Sequence, residues 1–348
     1  MSELVLSPIG LLLAALLSAG NVLADVARKK VMERHELVAG TFWIRVFAAL
    51  VFTLALAGRI ISGSPPELRN TGFLFGIDGL SAAPTVVFLI YLAIDVALIS
   101  IAQILLMRAL QVSPMSMCIP FMAFTPVFLI PMGYLVVGEL PSLVKLMGVC
   151  LIVVGSLVMH RRLFAEGWTA PVRAIINEKG SRYILLVAFI LSLTNPIEKR
   201  LILMSDPLTQ AFAYGLGLCV FFAVLAWKRS ADCRVVMRDT PGWTVLAGVM
   251  DAAALLLQLF TFGYLAVVIT ISIKRAGIVL AVLAGWLIFR EREITDKLIA
   301  ASVMLGGVLI LYLPLNIAKA LILAAVVLVG MAIALYATRT KLAAEAQR

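Results

Sequence analysis

Apolar stretches of about twenty residues recur from one end of this chain to the other, and they limit the fold before any single residue is weighed. They fall near 5–25, 37–57, 85–109, 117–137, 142–159, 183–203, 208–227, 243–265, 268–289, 297–313 and 317–337. A bilayer core takes roughly twenty helical residues. In lipid, each such segment must satisfy its own backbone polar groups, which an α-helix does. The chain is 63% hydrophobic and 14% charged, against about 45–50% and about 25% for a soluble domain. The expected fold is therefore all-α, a polytopic membrane bundle. The long connection at 60–84, with Pro65, Pro66, Gly72, Gly76 and Gly79, is expected to lie at the interface.

A net charge of +10 could indicate a nucleic-acid partner, but the Lys and Arg gather in short connections between apolar runs. That is the pattern of the positive-inside rule, so the expected surroundings are a lipid bilayer, without nucleic acid. Cations follow the first run (Arg28, Lys29, Lys30, Arg34) and do not precede it, which makes it a retained span and not a cleaved signal. Connections after odd-numbered runs hold seventeen Lys and Arg, and those after even-numbered runs hold seven with Lys274 and Arg275 included. This predicts an N-terminus outside and a C-terminus inside, in a multi-pass protein of the cell membrane. The four cysteines, Cys118, Cys150, Cys219 and Cys233, form no C-x-x-C and read as small packing residues.

The chain also repeats itself. Glu139, Lys145 and Gly155 recur as Glu291, Lys297 and Gly307 at an offset of 152, and Asp95 recurs as Asp251 at 156. Lys29-Lys30 recurs as Lys199-Arg200 at 170. Runs one to five thus match runs six to ten. Five is odd, so the second copy must enter from the opposite side, giving two inverted five-helix repeats. Such repeats are typical of secondary transporters, whose sites lie near the bilayer midplane. The expected divisions are 1–160 and 183–313 for the repeats, 161–182 for a basic connecting loop, and 314–348 for an additional C-terminal span and tail.

Two stretches carry a more specific likeness. TPVFLIPMGYLVVGELPSLVKLMGVCLIVVGSLVM (125–159) and KRAGIVLAVLAGWLIFREREITDKLIAASVMLGGVLIL (274–311) each run from an apolar helix into a Glu, a short polar turn, and a helix with a Gly about sixteen residues on. Together they resemble the two halves of an EamA-type transporter of the drug/metabolite transporter superfamily. The resemblance implies ten helices around a central cavity and alternating-access movement of a small metabolite, with export the expected direction. The chain departs from the family pattern in its eleventh run beyond Pro314 and in the cations after its first run.

Candidate residues are the polar groups that hydrocarbon makes costly. Asp95 and Asp251 lie about ten residues into their runs. Burial favours the uncharged carboxyl, so either could carry a proton or recognise a cationic group; the structural alternative is a buried ion pair. Lys274 and Arg275 lie shallow enough to snorkel. Neighbours on a helix point about 100° apart, so one of the two is expected in a pocket, where it would favour an anionic or zwitterionic solute. Asn21 with Asp25, and Asn195 with Glu198 and Lys199, form matching polar clusters. Asn195-Pro196 is placed to break its helix, whereas Glu198 and Lys199 read as an interfacial helix end. Arg45 is expected to snorkel. Pro120 and Pro126, with Pro114 and Pro131, punctuate a run expected to line the cavity, as are Gln103 and Gln258. Glu139 and Glu291 are expected to favour the dipoles of the helices they precede.

No H-E-x-x-H, Walker lysine loop or G-x-S-x-G occurs, and the two histidines, His35 and His160, lie in connections. A transporter of a small-molecule substrate, without cofactor or bound metal and not an enzyme, is the leading expectation. A membrane enzyme acting on lipid-linked substrates and a non-transporting scaffold are the alternatives.

Overall fold

The computed structural model describes residues 8–63, 68, 84–125, 127–128, 143–158, 173, 177–264, 267–291, 294–313 and 315–346. All regular structure among them is helical: α1 (Pro8–Met32), α2 (Leu37–Ile61), α3 (Pro84–Val112), α4 (Met115–Cys118) and a 3₁₀ turn (Ile119–Phe124). Then follow α5 (Leu143–Val158), α6 (Lys179–Met204), α7 (Pro207–Lys228), α8 (Cys233–Asp239) and α9 (Pro241–Tyr264). The last are α10 (Val267–Phe289), α11 (Ile294–Tyr312) and α12 (Ile317–Ala346). Six of these, α2, α3, α6, α7, α9 and α12, are long and apolar enough to cross a membrane by length and composition. The chain is a multi-pass membrane protein.

The helices form two compact units, Met1–Gln111 with Ile190–Lys274 and Val112–Phe189 with Arg275–Arg348. In the first, α1 packs on α9 and α2 packs on both α7 and α9. Phe52, Tyr214, Leu218, Leu259 and Ile99 form its apolar centre, and Phe88 and Tyr91 of α3 meet Ile197 and Leu201 of α6. In the second unit, α5 packs on α11, and α12 covers α11. Small residues decide that packing. A Cβ on Gly155 would meet the Met304 backbone nitrogen at 2.9 Å, and one on Gly307 would meet the Gly148 carbonyl oxygen at 2.7 Å. The two glycines that recur at an offset of 152 therefore sit on facing sides of one tight helix pair. One flank of α12 packs through Ala320, Leu323 and Val327, and Leu321, Ile322, Val326 and Val329 stay exposed, as a lipid-facing helix requires.

Several sequence expectations need correction. The first helix continues to Met32, so Arg28 and Lys29 are buried helical residues and not loop cations. Withdrawing both leaves the cation bias in the same direction. Helix α6 runs unbroken through Pro196, although proline supplies no amide to the Ser192 carbonyl. Glu291 also serves a helix other than the one it precedes. Its Oε1 accepts from the Met115 amide at 2.7 Å and its Oε2 from the Ser116 amide at 2.9 Å, capping α4, while Lys297 donates to Ser116 Oγ at 2.9 Å. The prolines do change the local helix: α4 yields to a 3₁₀ turn in which Pro120 is buried. Pro126, Pro131, Glu139, the Lys145 side chain, nearly all of 64–83 and most of the basic connecting loop lie outside the described residues.

Asp206 joins α6 to α7. It accepts from the Leu208 and Thr209 amides, each at 3.0 Å, and pairs with Arg59 at the end of α2. Burial pushes its carboxyl up, but the bonds from Thr209 and Arg59 outweigh burial and hold it below the usual carboxylate range. The stabilisation it lends is therefore complete above the ordinary carboxylate pKa and is lost as pH falls through the lower folded value. Asp206→Ala should cost about 1 kcal/mol, as loss of an N-cap does. Thermal unfolding in detergent should show that difference at neutral pH and see it shrink in acid.

Candidate functional site

The polar interior of the first unit falls into two networks. The first is built on Asp251 of α9. Arg28 of α1 and Arg45 of α2 both pair with it, the latter at 2.6 Å, and Arg28 also holds Asp25 at 2.7 Å. Arg45 further donates to Gln103 of α3 at 3.4 Å. Arg28 and Arg45 are only 5% and 2% exposed, so neither reaches water. Two acids and two guanidiniums cancel, which is how charges persist inside a membrane bundle.

The second network begins at Lys274, which donates to Gln258 Oε1 at 2.7 Å; Gln258 Nε2 in turn donates to Glu198 Oε2 at 2.9 Å. Glu198 is 3% exposed and within electrostatic reach of Asp95 of α3, which is 0% exposed and has no hydrogen-bond partner on either oxygen. Tyr214 of α7 lies between the networks, within reach of Asp95, Glu198, Arg28 and Arg45. Gln210, one turn before Tyr214, leaves both amide atoms unpartnered, as Asn195, one turn before Glu198, leaves its amide nitrogen. Asn21 bonds back to the Leu17 carbonyl of its own helix at 2.8 Å.

Asp95, Asp251, Lys274, Asn195, Gln103 and Gln258 are thus drawn into one unit, where both glutamines support charges. Pro120 belongs to the other unit, and the Arg275 side chain lies outside the described residues. Three readings change. Arg45 does not snorkel but holds Asp251. Lys274 turns inward to Gln258 instead of toward the interface. Glu198, read as an interfacial end, is a buried carboxylate in contact with the candidate set. Its i, i+3 spacing from Asn195 was the available signal, since that spacing shares a helix face. Away from these networks, a cleft of about 490 Å³ bounded by Phe42, Trp227 and Cys233 has no charged residue in its lining. Among the described residues no cluster of His, Cys, Asp or Glu is placed to hold a metal ion.

Helices of spanning length around buried, mutually neutralising charges define a multi-pass membrane protein. The EamA-like transporter family model matches residues 8–161, so the resemblance seen in the sequence holds: this stretch is of the EamA type, a family of membrane transporters. No curated protein matches the chain by sequence. A solved structure, described simply as the crystal structure of a protein, superposes with a TM-score of 0.54 at 13% identity, over 85% of this chain and 95% of its own. At that identity the likeness is one of fold.

Removing one partner of a buried ion pair strands the other. Arg45→Leu should destabilise the protein by about 3–5 kcal/mol, and adding Asp251→Asn should recover part of that loss. A double-mutant cycle on thermal unfolding checks it. Simple additivity of the two changes would show that the pair does not couple.

Proposed function

We propose that the chain is a secondary transporter that moves a small polar metabolite across the cell membrane by alternating access, handling it at the second polar network of the first unit. The supporting observation is the unpartnered, fully buried Asp95, within electrostatic reach of the buried Glu198. Insertion scales place an Asp at a helix centre at roughly 2.5–3.5 kcal/mol. A group retained at that cost without a partner is a functional group by default. Corresponding positions in the two sequence stretches also supply paired helices: α2 lies with α7 and α5 with α11. Ten helices in two inverted repeats, plus α12 as an eleventh span, fit that pairing.

Counterflow in liposomes, with a mixture of polar metabolites and detection by mass spectrometry, tests the reading. The wild-type protein should exchange a small set of solutes, in whichever direction the gradient is imposed. Asp95→Asn should lower the rate about tenfold or more, the loss of one charge-assisted hydrogen bond, with the unfolding temperature little changed, and Lys274→Ala should lower the rate as well. Absence of exchange, or normal exchange by both variants, would count against it.

The orientation is an N-terminus outside and a C-terminus inside, reached by eleven spans. Ser2→Cys and Gln347→Cys, each in a background lacking the four native cysteines, should label from opposite sides of intact cells. Labelling from one side would require an even number of spans.

A further inference from the structure

Asp95 and Asp251 recur at an offset of 156, yet their settings are opposite. Asp251 lies between two guanidiniums. The charged group that Asp95 faces is a second acid, Glu198. The offset of 170 that aligns Lys29-Lys30 with Lys199-Arg200 also aligns Arg28 with Glu198. The position that supplies the counter-cation in one copy therefore supplies another carboxylate in the other. Lys274, reaching Glu198 through Gln258, balances one of the two acids and leaves one negative charge over.

The other neighbours do not remove that surplus. From α7 the pair meets the phenol of Tyr214; from α9 it meets Gln258 and from α10 Lys274. Lys199 and Arg200 follow Glu198 directly and project about 100° and 200° around α6. Arg28 and Arg45 are held by Asp25 and Asp251. Two buried carboxylates sharing a site with one compensating cation do not both stay ionised unless a further positive charge joins them.

On the transport reading above, we infer that Asp95 and Glu198 form a one-charge cation site, loaded alternately with a proton and with the ammonium group of a cationic substrate. Binding the ammonium converts the shared carboxylic acid to a carboxylate and releases its proton to water, so the charge of the site is unchanged by the exchange. Lys274, which from sequence favoured an anionic solute, instead sets the count at one. The unpartnered Asn195 nitrogen, one turn before Glu198, is a donor open to a substrate that also carries an acceptor. The substrate class is a small organic amine.

Infrared spectroscopy of the full chain in lipid tests this without requiring transport. At neutral pH the wild-type spectrum should contain the carbonyl stretch of a protonated buried carboxyl. The band should vanish in Asp95→Asn and in Glu198→Gln, since Lys274 then balances the remaining acid, and should persist in Asp251→Asn. Phenethylammonium should bleach the band while phenylpropionate, of similar size and opposite charge, leaves it. A wild-type spectrum without the band, or a band lost only in Asp251→Asn, overturns the site. A band that phenylpropionate bleaches, or that neither solute alters, overturns the cation assignment. Loss of counterflow with the band and its amine response intact would count against the transport reading alone.

Discussion

A carboxylate enclosed by membrane helices must be neutralised where it lies, and for Asp251 the task falls to Arg28 and Arg45. These two guanidiniums come from α1 and α2, the helices that pack on α9, so the ion pairs and the helix contacts specify the same arrangement. The apolar stripes allow α1, α2 and α9 to slide or rotate against one another. Charges that must meet do not. Buried ion pairs add little net stability over apolar packing, but breaking one is costly, and that asymmetry fixes register. The second network depends on the first, because Arg28 and Arg45, once occupied, are withdrawn from Asp95 and Glu198.

The helical, membrane-spanning character was legible from the apolar runs because burial in lipid demands a continuous signal of about twenty residues. Most run boundaries lie within a few residues of the helix ends; 208–227, for instance, became Pro207–Lys228. The short helix α8 was not legible, because seven residues give no periodicity to read. The site was legible in part. Asp95, Asp251, Lys274 and Gln258 stand out as polar residues in apolar runs, and all contribute to the networks. Arg28, Arg45 and Glu198 were assigned to loops, snorkelling or helix ends because a charge near the end of an apolar run has two low-energy solutions, reaching water or reaching an opposite charge. Sequence distance does not choose between them; the positions of α2 and α9 do.

Glu291 shows the same limit in the second unit. A carboxylate just before a helix satisfies the dipole rule whichever helix end it serves. Here the connection folds back so that it caps α4, whose run is weakened by Pro114 and Pro120 and needs an external acceptor for its free amides. A broken helix inside a membrane protein is tolerable where something re-satisfies its backbone. For α4, a distant acid does so, with Lys297 beside it on the shared Ser116 hydroxyl.

The recurrence of glycines at 155 and 307 alongside the non-recurrence of counter-charges at 28 and 198 separates two kinds of constraint. Packing between helices is a property of shape, and duplicated shapes pack in a duplicated way, so both glycines keep the close approach. Charge inside the bundle is a property of the sum. One network holds a closed set of two acids and two arginines, while the other is left open by an acid at the position that aligns with Arg28. On the transport reading proposed above, the closed set holds helices in register and the open one is the part whose occupancy changes. The asymmetry between otherwise corresponding helices is thus where a fold built from similar parts acquires a direction for its chemistry.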